Sequence, residues 1–255
     1  MKRLINTIAL GLAIIAASSC TKVDNYAGPD QTLQGTVTDS GTGLPIQGEI
    51  GDGANSTRIK LLESSWSANP TAQYLGVHQD GTYINTKIFK ATYKMTAEGP
   101  FVPMVQTTPA VDQTQTVNVD GGTTTVNFSV EPLLRLAWVG QPVINADGTL
   151  SVQVKVTRGT ANALFQQAVT EIWLFVNSSQ YVGNNINDAA KTGKYTGDLN
   201  AAVANGTTIT LTTGNGVLPA GVLSTARDYY IRVGARTSYN LKQYNYTDVR
   251  KVVVP

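Results

Sequence analysis

Apolar and polar residues alternate with a period of two over much of the chain, and the first half holds no sustained helical period. Leu33-Gln34-Gly35-Thr36-Val37-Thr38-Asp39 alternates and runs into the Gly/Pro-rich residues 40–46, a strand closed by a turn. Ile59, Leu61 and Leu62 predict a second strand. Asp80-Gly81 predicts a hairpin turn, and residues 83–95 beyond it are rich in β-branched and aromatic side chains. Residues 114–119 and 123–130 flank Asp120-Gly121-Gly122, which predicts two strands around a tight turn with Val126, Phe128 and Val130 on one face. Farther on, Asp147-Gly148 precedes Leu150, Val152, Val154 and Val156 at strict period two. Ile172, Leu174 and Val176 alternate with Trp173 and Phe175, a strand apolar on both faces. Residues 246–254 predict the closing strand. Between them, residues 177–206 form an Asn-, Gly- and Ala-rich stretch with no clear period, expected to be functional or mobile. The fold class is all-β.

The first residues follow a different pattern. Lys2 and Arg3 precede an apolar run over residues 4–17, broken only by Asn6, Thr7 and Gly11, and Ala16-Ala17-Ser18-Ser19 lead to Cys20. A charged start, a short apolar run and small residues describe a secretory signal, too short to cross a bilayer as a helix. Ending on a cysteine, it resembles the bacterial lipoprotein signal, with Ala17 where Leu is usual. That resemblance makes Cys20 the lipidation site. Two or three acyl chains, at ~0.8 kcal/mol per buried methylene, anchor stably where one does not. The expected organisation is a signal peptide (1–19), a lipidated polar tether (20–30) and two domains (31–133 and 134–255).

Composition narrows the chemistry. The 255 residues include 24 Gly and 33 Thr, and only 14% are charged, which suits short strands and turns. Loss of Lys2 and Arg3 would reduce 19 basic residues to 17, equal to the 17 acidic ones. No whole-chain field then draws in nucleic acid, and none is expected as a partner. One His and one Cys give neither a disulfide framework nor a His/Cys metal set. His78, alone near a strand end, reads as an ordinary surface or core residue. Neither cofactor nor metal site is expected.

Three resemblances add to this. Gly35-x-Val37-x-Asp39, Thr42-Gly43-x-Pro45-Ile46, Asp80-Gly81-Thr82-Tyr83 and Ala91-Thr92-Tyr93 resemble the carboxypeptidase-regulatory, or transthyretin-like, prealbumin sandwich. Leu223 followed by Tyr229-x-Ile231-x-Val233-x-Ala235 resembles the penultimate strand of fibronectin type III domains. Nearly the whole mature chain is similar to a family of Bacteroidetes outer-membrane lipoproteins of unknown function. Asp24-Asn25-Tyr26-x-x-Pro29, Ser65-Trp66, Asn69-Pro70, Asn85-Thr86-Lys87-Ile88-Phe89 and Gly99-Pro100-Phe101-Val102 carry that likeness. It implies a prealbumin-like sandwich followed by an Ig-like one, an outer-membrane, cell-surface location and companionship with SusC/SusD-type glycan importers. It supplies no catalytic residues.

The function expected is a non-catalytic, glycan-binding accessory of a polysaccharide importer. Sugar rings stack on aromatic faces, and the candidates are Trp66 and Tyr74 in the first domain, with Tyr239, Tyr244 and Tyr246 on the last hairpin of the second. Trp138 and Trp173 read as core or interdomain residues. Asn184-Asn185-Ile186-Asn187-Asp188 has oxygen ligands for Ca²⁺ but lacks EF-hand spacing. A structural or assembly partner of the importer that never touches sugar is the alternative. A glycoside hydrolase is a third reading, needing two carboxylates about 5–10 Å apart in a groove.

Overall fold

The computed structural model describes residues 27–254 except Asp52 and Leu218. The expected signal peptide, Cys20 and residues 21–26 of the tether lie outside the described residues. The described chain is two β-sandwiches in tandem.

The first domain holds β1 (Gln31–Asp39), β2 (Arg58–Glu63), β3 (Gln73–Gly76), β4 (Thr82–Ile88), β5 (Ala91–Glu98), β6 (Val105–Thr107), β7 (Ala110–Asp112), β8 (Gln115–Val119), β9 (Thr123–Thr125) and β10 (Phe128–Val130). One sheet centres on β1, antiparallel to β4 and parallel to both β9 and β10. The facing sheet runs β3-β2-β5-β8, all antiparallel. β6 and β7 make a separate hairpin. Between the sheets lie Leu33, Val37, Ile59, Leu61, Tyr83, Tyr93, Met95 and Phe128, the inward positions of alternating strands. Gly35 is required on β1, because a Cβ there would sit 1.7 Å from the Val126 carbonyl oxygen.

Two turns act differently from the sequence expectation. β3 and β4, on either side of Asp80-Gly81, belong to different sheets, and so do β8 and β9 around Asp120-Gly121-Gly122. Neither is a hairpin: each carries the chain across the sandwich. Gly121 and Gly122, with φ of 89° and 100°, allow the crossing that no side-chain-bearing pair adopts readily. A local turn signal cannot tell pairing from crossing; burial of Val119 and Phe128 against both sheets decides it.

The second domain holds β11 (Leu134–Ile144), β12 (Leu150–Arg158), β13 (Val169–Asn177), β14 (Gly193–Lys194), helix α1 (Leu199–Ala204), β15 (Thr208–Thr212), β16 (Arg227–Thr237), β17 (Tyr244–Tyr246) and β18 (Arg250–Val254). Sheet β11-β12-β15 packs on sheet β14-β13-β16, and β17 and β18 pair in turn along β16. Leu150, Val152, Val154 and Val156 are buried as their alternation predicts. The closing strand is broken at residues 247–249, where the Thr247 carbonyl accepts Nε of the buried Arg232. In the expected loop 177–206 lies α1, capped by the Asp198 carboxylate, which accepts from the amides of Asn200 and Ala201.

β13 has two apolar faces for a structural reason. Ile172, Leu174 and Val176 enter the main core, whereas Trp173 and Phe175 face outward into a second cluster with Val182, Tyr244 and Tyr246. The first domain reaches the edge of that cluster through Glu49, which accepts from the Tyr246 hydroxyl.

Candidate functional site

The domains are joined by polar contacts that the sequence did not reveal. Segment 47–56 of the first domain and loop 177–187 of the second meet over the outer face of β16 and β17. Glu49, almost fully buried, accepts from the Tyr246 hydroxyl, from the Asn184 amide at 3.1 Å and from its neighbour's amide at Ile50. The Arg232 guanidinium lies 4.0 Å from the Tyr246 ring centroid, with no exposed surface. Its Nε and Nη1 reach the carbonyls of Thr247 and Val182, and Nη2 has no hydrogen-bond partner among the described residues. Burial lowers the Arg232 pKa to about 10, and burial with Glu49 beside it raises the Tyr246 phenol well above its ordinary value. Asn185 donates to the Ile50 carbonyl, and Gln79 bonds both Gln180 and Val182.

Residues 180–185 of the expected loop are therefore a clasp between domains, to which Asn184 and Asn185 of the Asn cluster contribute. Asn187 bonds the carbonyls of Gly183 and Asn184, while Asp188 pairs with Lys191 at 3.4 Å. No group of three or more His, Cys, Asp or Glu suited to a metal ion occurs among the described residues.

The five aromatic candidates do not share one surface. Tyr244 and Tyr246 are 4% and 5% exposed, packed against Phe175 at 5.6 and 6.0 Å between ring centroids. This corrects their expected place on a ligand-facing hairpin. They form a strand of their own, where Tyr246 meets Glu49 of the first domain and Tyr244 meets Glu171 and Arg236 of its own. Tyr239 is half-buried, edge-on to Phe165 at 5.5 Å. Tyr74 lies on β3 with the Arg58 guanidinium 3.8 Å above its ring.

Trp66 stands apart, with 66% of its surface exposed. The residues around it fix its position. Ser64 donates its amide and hydroxyl to the Thr92 carbonyl, and Ser65 Oγ accepts the Thr92 amide at 2.8 Å, which fastens the loop to β5. Trp66 and Phe89 wall a recess of about 660 Å³ whose polar lining includes Asp30, Gln31, Glu63 and Lys90. Phe89, 44% exposed, is held by the Tyr93 hydroxyl on its carbonyl at 3.0 Å. Phe89 escaped the sequence reading, although Ile88 pointing inward leaves its neighbour pointing out. Tyr181 and Tyr230 were also missed. With Gln47, Gln79 and His78 they line an interdomain groove of about 900 Å³ beside segment 47–56.

Comparison places this architecture. The N-terminal domain profile of the protein family of unknown function DUF3823 matches residues 31–131, and the family's C-terminal domain profile matches residues 139–251. The chain belongs to the DUF3823 family. A DUF3823 family protein from Bacteroides uniformis is 29% identical, with a TM-score of 0.75 over 89% of this chain and 100% of that one. A candidate carbohydrate-binding protein from the same species is 24% identical, with a TM-score of 0.66 over 89% and 100% of the two chains. A DUF3823 family protein from Parabacteroides merdae is 20% identical, with a TM-score of 0.67 over the same shares. No curated protein matches the chain.

Proposed function

We propose that the protein is a non-catalytic, lipid-anchored glycan-binding protein of the outer membrane, serving a SusC/SusD-type polysaccharide importer. The observation that carries the reading is the recess walled by Trp66 and Phe89. Two exposed rings, Trp66 beside Ser64 and Ser65 that bond Thr92 and Phe89 held through its own carbonyl by Tyr93, are flanked by carboxylate, amide and ammonium groups that match sugar hydroxyls. The related B. uniformis candidate carbohydrate-binding protein agrees with it. Covering the exposed indole with a sugar face contributes ~1–2 kcal/mol, at ~25 cal/mol per Å².

In the interdomain groove, catalysis is disfavoured by the state of its two acids. Asp80 and Glu49 both line the interdomain groove. The Asp80 carboxylate accepts the hydroxyl and amide of Thr82, which hold its pKa below the ordinary value, opposite to a glycosidase's general acid. Glu49 is committed to Tyr246, Asn184 and Ile50. Affinity electrophoresis through neutral polysaccharide gels tests the reading. Wild type should be retarded by at least one, and Trp66→Ala should bind roughly tenfold more weakly with an unchanged thermal midpoint. Failure of every gel to retard wild type would overturn it and turn attention to co-purification with the importer.

A further inference from the structure

We infer that a second recess, between the outer face of β2–β5 and the tip of the β16–β17 connection, is a subsite for an acidic sugar unit bearing carboxylate or sulfate. Such a subsite rests on the glycan-binding function proposed above and specifies the chemistry of the glycan.

The strand register builds it. Arg58 stands opposite Glu98, Lys60 opposite Thr96 and Leu62 opposite Lys94, all on the face turned away from the core. Lys60 and Lys94 are thus diagonal neighbours, which in an antiparallel pair stand about 7–8 Å apart. Neither makes an ion pair among the described residues, although Asp112 lies near enough to feel Lys94. Arg58 is the fixed member: Nε and Nη2 both bond Oε2 of Glu98, at 3.0 and 2.8 Å, and the Tyr74 ring backs the guanidinium. Among the described residues Nη1 makes no hydrogen bond to a side chain or carbonyl. Three cations and one anion therefore line a recess of about 480 Å³, in a chain whose formal charge is only +2. An anion placed between two lysines on one sheet face gains attraction from both and relieves their mutual repulsion.

The rest of the wall suits a sugar better than a bare ion. The second domain lends Tyr239 and Asn240, and Gln243 fastens that loop by donating to the carbonyls of Ala54 and Ser56 at 2.7 and 3.2 Å. An aromatic edge, an amide and the Thr96 hydroxyl surround the cations, a mixture that recognises a ring carrying both hydroxyls and a charge. The volume lies within the ~300–1,000 Å³ of ligand pockets.

Affinity electrophoresis with polygalacturonate, dextran sulfate and neutral dextran tests the assignment at low salt. One or both anionic polymers should retard wild type more than dextran does, and added NaCl should abolish the difference. Which of the two acts tells carboxylate from sulfate. Lys60→Gln/Lys94→Gln should lose at least fivefold in affinity for that polymer, Lys60→Arg/Lys94→Arg should keep it, and both should melt like wild type. Equal retardation by charged and neutral polymers, or unchanged binding by the Gln variant, would overturn the subsite. Trp66-dependent retardation by neutral polymers in the same experiment would leave the glycan-binding function standing if the subsite failed; retardation by no polymer, charged or neutral, would remove both.

Discussion

Arg135 grips Asp39 with two prongs, Nε to Oδ2 at 2.6 Å and Nη2 to Oδ1 at 2.7 Å, and so ties the end of β1 to the start of β11 across the domain junction. Burial alone would raise the Asp39 carboxyl, but the Arg135 bonds and the Gly41 amide outweigh it and hold it below its ordinary value. A depressed folded pKa stabilises fully above the unfolded value of about 3.9, and that stability is lost as pH falls through the folded value. Asp39→Asn should therefore be less stable than wild type by about 2 kcal/mol at pH 7, with the gap narrowing below pH 4. Thermal midpoints of both proteins from pH 7 to pH 2 measure this, and parallel profiles would count against it.

The Glu49–Tyr246 contact makes a separate prediction on the same junction. Tyr246→Phe keeps the ring beneath Arg232 but removes the hydroxyl that donates to a buried carboxylate. Glu49 retains only backbone amides, so the variant should lose about 1–3 kcal/mol. Urea unfolding should show the lowered midpoint together with faster tryptic cleavage near segment 47–56. Glu49→Gln in the Tyr246→Phe background should lose further stability, because the Glu49 charge also favours the buried Arg232 guanidinium.

What was legible in the sequence follows a physical division. Leu150, Val152, Val154 and Val156, or Leu33 and Val37, are read correctly because one face of each strand must be buried and the period of two says which. The two apolar faces of residues 172–176 were equally visible. Their cause was not, since the partners of Phe175 on that face, Tyr244 and Tyr246, lie about seventy residues later. Distance along the chain also hid Glu49, whose partners Asn184 and Tyr246 have no local relation to it. Trp66 was legible as a loop residue because small polar neighbours cannot bury an indole. Tyr244 and Tyr246 were misplaced because a Tyr-rich segment looks alike at a binding rim and at a domain interface.

Gly35 tests the close approach of β1 to the segment before β10. Gly35→Ala would drive a methyl to within 1.7 Å of the Val126 carbonyl oxygen and 2.9 Å of the Tyr83 ring. The oxygen also accepts the buried Tyr83 hydroxyl at 2.6 Å, so it cannot retreat without breaking that bond. Destabilisation of about 3 kcal/mol or more is expected, seen as a lower urea midpoint or as insoluble expression. Gly43→Ala, at a turn with open space around it, provides the comparison: only its φ of 72° opposes the methyl, and its cost should be about 1 kcal/mol.

Trp66 and Tyr244 provide opposite readouts from the same kind of substitution. Tyr244 donates to the Glu171 carboxylate, lies under the Arg236 guanidinium at 4.7 Å and packs edge-on to Phe175. Tyr244→Ala opens a cavity in the interdomain cluster and leaves Glu171 with Arg236, at 2.8 Å, and the Trp173 indole. It should cost about 3 kcal/mol in stability. At temperatures well below its midpoint, its affinity for any neutral polysaccharide that retains wild type should be unchanged. Trp66→Ala should reverse the pattern, with a thermal midpoint within a degree or two of wild type and binding weakened about tenfold. Ser65→Ala occupies the middle ground: it removes the hydroxyl that takes the Thr92 amide and loosens the loop, so binding should weaken less than in Trp66→Ala while the fold holds. Measuring the three variants by differential scanning calorimetry and affinity electrophoresis separates a ring that recognises from a ring that supports. A Trp66→Ala protein that melts early and binds normally would assign Trp66 to support and remove the recess it shares with Phe89 as the glycan site.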